Sequence, residues 1–325
     1  MFGELPKVFD KNFAVNYFLP VTVFLGLSYF LLKTYSLAQN FTQSLETDWI
    51  KGAVTLSLYS YLGGVILLVL NSDIYDFLSG YGTYNPIKIL RTFELSRYQK
   101  MRNEIDKLDS EYISCVKKNK EFPEKSRARR NRLMREIAIQ FPDNEQLILP
   151  TPFGNIIQSV ETYSRVVYGI EYVGGWSRML TAIPAEYRNI IESSKNQIDF
   201  WINTFVLSVL FMIEVIVVWD FTRVNSMLVV VSFITIVASL LLVRAQTAAQ
   251  NWGEYVSTSF DVYRNKLLEL LAFPRPKSRQ EEKQIWRSFS QSIIYRRPDR
   301  LPEIYFPDNN QTAKPKPKKK KNMNA

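Results

Sequence analysis

Two sets of side chains in this sequence have types and spacings suited to chemistry. The first is Asn155, Glu161, Tyr168, Glu171, Trp176 and Arg178, set among the prolines and glycines that run from Leu149 to Pro184. Such a set suits a ligand or partner pocket. With Glu161, Glu171, Tyr168 and Arg178 converging in a cleft, it would also suit an enzyme working at a membrane surface. The competing reading is a structural junction, in which the same residues satisfy a tightly turned backbone. The second set is a pair, Lys33 and Glu214, each placed inside an otherwise apolar run. A charge at such a position must be neutralised, paired or turned to water. An intramembrane Lys33–Glu214 pair is therefore expected, unless Lys33 simply extends outward to the interface.

What the chain lacks narrows the chemistry further. It contains no histidine, which removes the commonest general base and the commonest metal ligand together. Its one cysteine, Cys115, can form neither an intramolecular disulfide nor a cysteine-rich zinc site. Catalysis by a serine–histidine or cysteine–histidine pair is excluded within a single chain. No nucleotide or cofactor fingerprint appears, so no cofactor, no metal and no enzymatic activity are expected.

The formal charge of +10 points to an anionic partner. Its densest clusters are Arg127, Arg129 and Arg130, and the terminal run Lys318, Lys319, Lys320 and Lys321. Both suit anionic lipid headgroups, with a plain solvated surface as the alternative. No aromatic side chains are interleaved with the arginines, so nucleic acid is not favoured.

These residues need elements to hold them, and the apolar runs come first. A helix needs roughly 20 mainly apolar residues to cross a bilayer. Four stretches qualify: Phe13 to Leu37, Val54 to Leu70, Phe200 to Trp219 and Met227 to Val243. The first is longer than the core of a signal peptide, though Ser36-Leu37-Ala38 resembles a cleavage site. Gly63-Gly64 in the second would let a neighbouring helix come close. Lysine and arginine are sparse in the two short connections and abundant elsewhere, which places both termini and the middle segment in the cytoplasm. A bacterial plasma (inner) membrane, crossed several times, is the expected location.

Outside the spans the pattern is helical throughout. Met101, Ile105, Leu108, Tyr112 and Cys115 alternate three and four apart, as in a coiled-coil seam. Beyond the break at Phe122-Pro123, Leu133, Met134, Ile137 and Phe141 mark a second helix that folds back on the first. After the fourth span, helical spacing persists through Trp252, Val256, Phe260, Tyr263, Leu267 and Leu270. The expected helix from Ser226 to Leu271 would be roughly 70 Å long, a stalk extending past the bilayer. The expected fold is thus an all-α membrane protein with four transmembrane helices in two hairpins. Its segments are a cytoplasmic N-terminus (1–12), hairpin one (13–72), a helical cytoplasmic domain (73–198), hairpin two (199–243), the stalk (244–273) and a basic, largely disordered tail (274–325).

Tyr17-Phe18-Leu19-Pro20 and the later Leu149-Pro150-Thr151, Gly154-Asn155 element carry a resemblance. With Glu161, Tyr168 to Glu171, and Trp176 with Arg178 at similar spacing, the chain resembles a group of uncharacterised bacterial multi-pass membrane proteins. The resemblance covers roughly Phe13 to Leu210. It implies a shared fold and brings no activity with it. Glu171 stands where aspartate is expected, and Pro152 where a polar residue is commoner.

Three functions fit these observations. The leading one is a membrane-anchored scaffold or sensor, assembling with itself or with a protein partner through its cytoplasmic helices. The second is an oligomeric ion channel or pore using Glu214, Asn203 and Thr204. The third is a surface enzyme built without histidine.

Overall fold

The computed structural model describes residues 10–35, 49–82, 84–222 and 226–301. Every regular element among them is helical. Helix α1 (Lys11–Thr34) and helix α2 (Trp49–Val69) are followed by the short α3 (Asn71–Ser79). Then come α4 (Arg91–Lys117), α5 (Glu124–Gln140), α6 (Pro152–Tyr168) and α7 (Tyr172–Ala182). Two long helices, α8 (Ala185–Thr222) and α9 (Ser226–Leu270), lead to α10 (Arg279–Ile294).

Four of these helices, α1, α2, α8 and α9, are long and apolar enough to cross a membrane. Valine and leucine dominate their outer faces. Val54, Leu58, Leu62 and Ile66 of α2, and Val229, Phe233, Ile236 and Leu240 of α9, are all exposed. Their inner faces pack as helices of a bundle do. Gly63 and Gly64 bring α2 against Val21 and Phe13 of α1, where a Cβ would stand only 2.7 and 3.0 Å from those side chains.

Helix α1 is not a regular α-helix. Residues Ala14–Phe18 form a π turn, with Leu19 N–H donating to Ala14 five residues back. Proline 20 explains the irregularity. It has no N–H to offer the carbonyl one turn before it, so the ladder is broken at Asn16.

The remaining helices form a body in which α6, α7 and α10 close over the C-terminal half of α9. Val256, Phe260, Leu267 and Leu268 of α9 meet Ile170, Met179, Trp286 and Phe289 in one buried cluster. Helices α4 and α5 pair separately, with Tyr98, Met101, Ile105, Leu133 and Phe141 between them. The seam expected from Met101 to Cys115 is buried only in its first half, for Tyr112 is half exposed at the edge. Tyr112 meets Phe122 edge-on instead.

Several expectations are corrected. The third apolar run belongs to a 38-residue helix that begins at Ala185, directly after Pro184, so the boundary at 198/199 falls inside a helix. The long helix has the expected extent at 45 residues, and α6, α7 and α10 cover its C-terminal half. The tail expected from 274 onward contains a folded helix, α10, whose Trp286 is fully buried. Its apolar residues, Ile285, Trp286, Phe289 and Ile293, share one face among many charges, so composition alone resembled a solvated tail. The cleavage-like Ser36-Leu37-Ala38 and the terminal lysines 318–321 lie outside the described residues.

Candidate functional site

The Leu149-to-Asn155 element is a clasp. Thr151 caps α6 by accepting from Gly154 N–H at 2.9 Å, and Pro152 occupies the first turn, where a missing donor costs nothing. The Thr151 hydroxyl in turn donates to the carbonyl of Leu78 at 2.7 Å, tying α6 to the end of α3. Asn155, fully buried, accepts from Leu149 N–H at 2.6 Å and donates to both Leu149 O and the Glu94 carboxylate at 3.0 Å. One asparagine therefore closes the loop and anchors α4.

Close approach completes the clasp. Gly80 ends α3 with φ +86°, and a Cβ there would lie 2.0 Å from Pro150. A Cβ on Gly154 would lie 2.6 Å from Ser79 O. Ser79-Gly80-Tyr81 is thereby fixed at the end of α3. Tyr81 adds a 2.6 Å bond from its hydroxyl to Gln158.

The other expected residues are ordered but engaged with different partners. Tyr168 and Tyr163 both donate to Asp261, at 2.7 and 2.8 Å, while the Arg264 guanidinium covers the Tyr168 ring at 4.5 Å. Burial and the bond to Asp261 push the Tyr168 phenol up to about 12. Arg264 also binds Glu282 of α10 at 2.8 Å. Glu171 presents its backbone N–H to the Ser290 hydroxyl at 3.0 Å. Trp176 stacks on Tyr172, with ring centres 5.8 Å apart, and leans on Phe260. Arg178 donates to Gly174 O at 2.7 Å and lies over Phe289. Glu161, two-thirds enclosed near Tyr81, Tyr172 and Asp76, has a carboxyl raised by burial and by the Asp76 charge. These side chains serve separate contacts rather than one constellation around a reacting atom. Among the described residues, no group of three or more Cys, Asp or Glu could hold a metal ion.

The most concentrated polar site was not foreseen. Asp199, 3% exposed, sits where α1, α3 and α8 meet. Its carboxylate accepts from Tyr75 at 2.7 Å, Lys195 at 3.1 Å, Asn71 at 3.3 Å and Tyr17 at 3.4 Å. Lys195 also stands over the Tyr75 ring at 5.4 Å. Burial first, and then the Asp199 charge, hold the Tyr75 phenol well above its ordinary value, so it stays a proton donor. Four donors around one carboxylate make an anchor, with its lone pairs already used. The signal was present in the sequence as a lysine and an aspartate four apart at the entry of an apolar helix.

In the candidate spans, Glu214 accepts from the Ser28 hydroxyl of α1 at 2.6 Å. Lys33 lies more than a turn further along α1. Of the three arginines expected to meet lipid, Arg129 forms a bidentate pair with Glu104 at 2.7 and 3.1 Å. Arg130 pairs with Asp109, while Arg127 is exposed. Two of them are thus already paired across the α4–α5 contact. A cavity of about 370 Å³ opens between α1 and α2, lined by apolar residues such as Leu25, Leu32 and Leu56.

No protein-family model, no curated protein and no solved structure matches this chain.

Proposed function

We propose that this protein is a membrane-anchored scaffold or sensor whose polar helical body assembles with further copies of itself. The observation that carries this reading is a set of large apolar side chains exposed outside the four candidate spans. Tyr84 is 96% exposed, Ile89 76% and Phe93 70%. Tyr84 and Ile89 lie in the connection that leads into α4, and Phe93 lies in its first turn. Large apolar side chains left exposed on a polar body suit an association site. The body itself is joined stiffly to the apolar end, because α8 and α9 run without interruption from one into the other. A bacterial inner membrane, with both termini in the cytoplasm and anionic headgroups around the basic surface, is the setting proposed for it.

The test is the mass of the detergent-solubilised full chain by light scattering. A multimer is expected, converted to a smaller species by Ile89→Asp together with Phe93→Asp. A monomeric wild-type chain would overturn the assembly reading.

A pore formed by such an assembly is the second reading, favoured by the Ser28–Glu214 contact inside the candidate spans. Ion flux in liposomes that is lost in Glu214→Ala would select it over a scaffold. The Lys33–Glu214 pair belongs to the same proposal. Rescue of a defective Lys33 variant by a second change at Glu214 would support it.

A further inference from the structure

Beside the Asp199 anchor, three side-chain amides each leave one buried polar atom unpartnered among the described residues. Proline 20 leaves the Asn16 carbonyl without its helical donor, and Asn203 of α8 fills that role from Nδ2 at 2.9 Å. Using Nδ2 in this way commits the orientation of the Asn203 amide, and its Oδ1 is then without a partner among the described residues. Asn16 Nδ2 is likewise buried and without an acceptor. Asn16 is 4% exposed and Asn203 is fully buried, so bulk water reaches neither. Asn71 Oδ1 is a second acceptor unpartnered among the described residues, on a side chain whose Nδ2 donates to Asp199. Asn203 stands one turn after Asp199 on α8, and Tyr17, next to Asn16, bonds the same carboxylate. The three amides therefore share one neighbourhood.

We infer that this neighbourhood is a binding site for an internal water molecule, which accepts from Asn16 Nδ2 and donates to Asn203 Oδ1. The chemistry of the lining selects that ligand. A metal cation needs converging acceptors, and here an amide donor and the Lys195 ammonium share the neighbourhood. An anion would meet Asn203 Oδ1, Asn71 Oδ1 and the Asp199 carboxylate. A neutral molecule that both donates and accepts satisfies the donor and the acceptor together, and buried waters typically occupy such places. The water also has a structural role. It completes the joint between α1 and α8 at the turn where Pro20 has interrupted the backbone ladder.

The test uses the full chain in lipid nanodiscs, at a resolution that shows ordered water elsewhere in its interior. The expected result is a density peak within about 2.6–3.2 Å of both Asn16 Nδ2 and Asn203 Oδ1. Two amides bonded directly to each other, or a closed gap with no peak, would overturn the inference. A second arm measures apparent Tm for Asn16→Leu, Asn203→Leu and the double variant. A shared bridge predicts that the double variant loses no more than the worse single one. Strictly additive losses would count against it. Replacing sodium chloride by choline chloride at equal ionic strength should leave Tm unchanged. A sodium-dependent Tm that disappears in Asn203→Leu would assign the site to a cation and overturn the water.

Discussion

Asp199 and Glu104 are both carboxylates with a basic partner, yet they stand in opposite surroundings. Asp199 is enclosed where three helices meet and is held by a lysine, two phenols and an amide. Glu104 lies on the outer face of the α4–α5 pair, about as exposed as the arginine it binds. The Glu104–Arg129 pair has the better geometry, being bidentate, but water can replace it almost without loss. The Asp199 contacts are harder to replace, because the carboxylate is 3% exposed and the Tyr75 and Asn71 donors beside it are partly sequestered from water. Burial, not the quality of the contact, decides which charge the fold depends on.

The largest effect is therefore expected at Asp199. Asp199→Leu keeps the volume nearly constant but removes the shared acceptor of Tyr75, Tyr17 and Asn71. A loss of about 3–5 kcal/mol is expected, since several sequestered donors lose their acceptor at about 1–3 kcal/mol each. The check is the midpoint of chemical denaturation in detergent. Lys195 is half exposed and can turn to water, so Lys195→Met should cost clearly less than Asp199→Leu. Equal losses would mean that the ion pair, and not the set of donors, is what matters.

The clasp next to this anchor should come second. Gly80→Ala puts a Cβ 2.0 Å from Pro150 on a residue at φ +86°, combining overlap with backbone strain. A loss of about 2–3 kcal/mol is expected, since the junction must shift to admit one methyl. Gly82 shares the positive φ but has open space around it, so Gly82→Ala should be milder. That contrast separates the close approach from the backbone conformation.

The helices themselves were legible in the sequence because period and length carry them. The four apolar runs, the α4–α5 fold-back and the 45-residue helix all follow from spacing. The Leu149-to-Asn155 element stood out too, since proline, glycine, threonine and asparagine in one run need a reason. What it does was not legible, because its partners, Leu78, Gly80 and Glu94, lie about 60 to 75 residues away in the chain. Asp199 escaped for a related reason. Its charge sits at the polar end of an apolar run, where a solvated residue is the ordinary expectation, and its ligands come from three separate segments. Helix α10 was hidden by composition, as four apolar residues on one face are outnumbered by charges.

A smaller effect is expected at Glu161, which is less enclosed than Asp199 and has a carboxyl raised by burial and by the Asp76 charge. In the folded chain Glu161 holds its proton to higher pH than it does unfolded. Its contribution to stability is therefore complete below the ordinary glutamate range and is lost as pH rises through the raised value. Glu161→Gln mimics the protonated form and should flatten that part of the Tm-against-pH profile. An unchanged profile would mean that solvent reaches Glu161 freely.

The smallest effect is the one that most sharply tests the comparison. Arg129→Ala removes the bidentate pair with Glu104, and apparent Tm should stay unchanged within the error of the measurement. The pair does have a direction. Arg129 holds the Glu104 carboxyl below its ordinary value, which would favour the folded chain above that value and fade as pH falls. Both groups are in contact with solvent, however, and salt screens what remains. What keeps α5 on α4 is the apolar contact of Ile105, Leu133 and Phe141, each no more than 3% exposed. Leu133→Ala should consequently separate the two helices where Arg129→Ala does not. If Arg129→Ala were as damaging as Asp199→Leu, exposure would not distinguish the two carboxylates, and the ladder on α5 would have to be counted as part of the core.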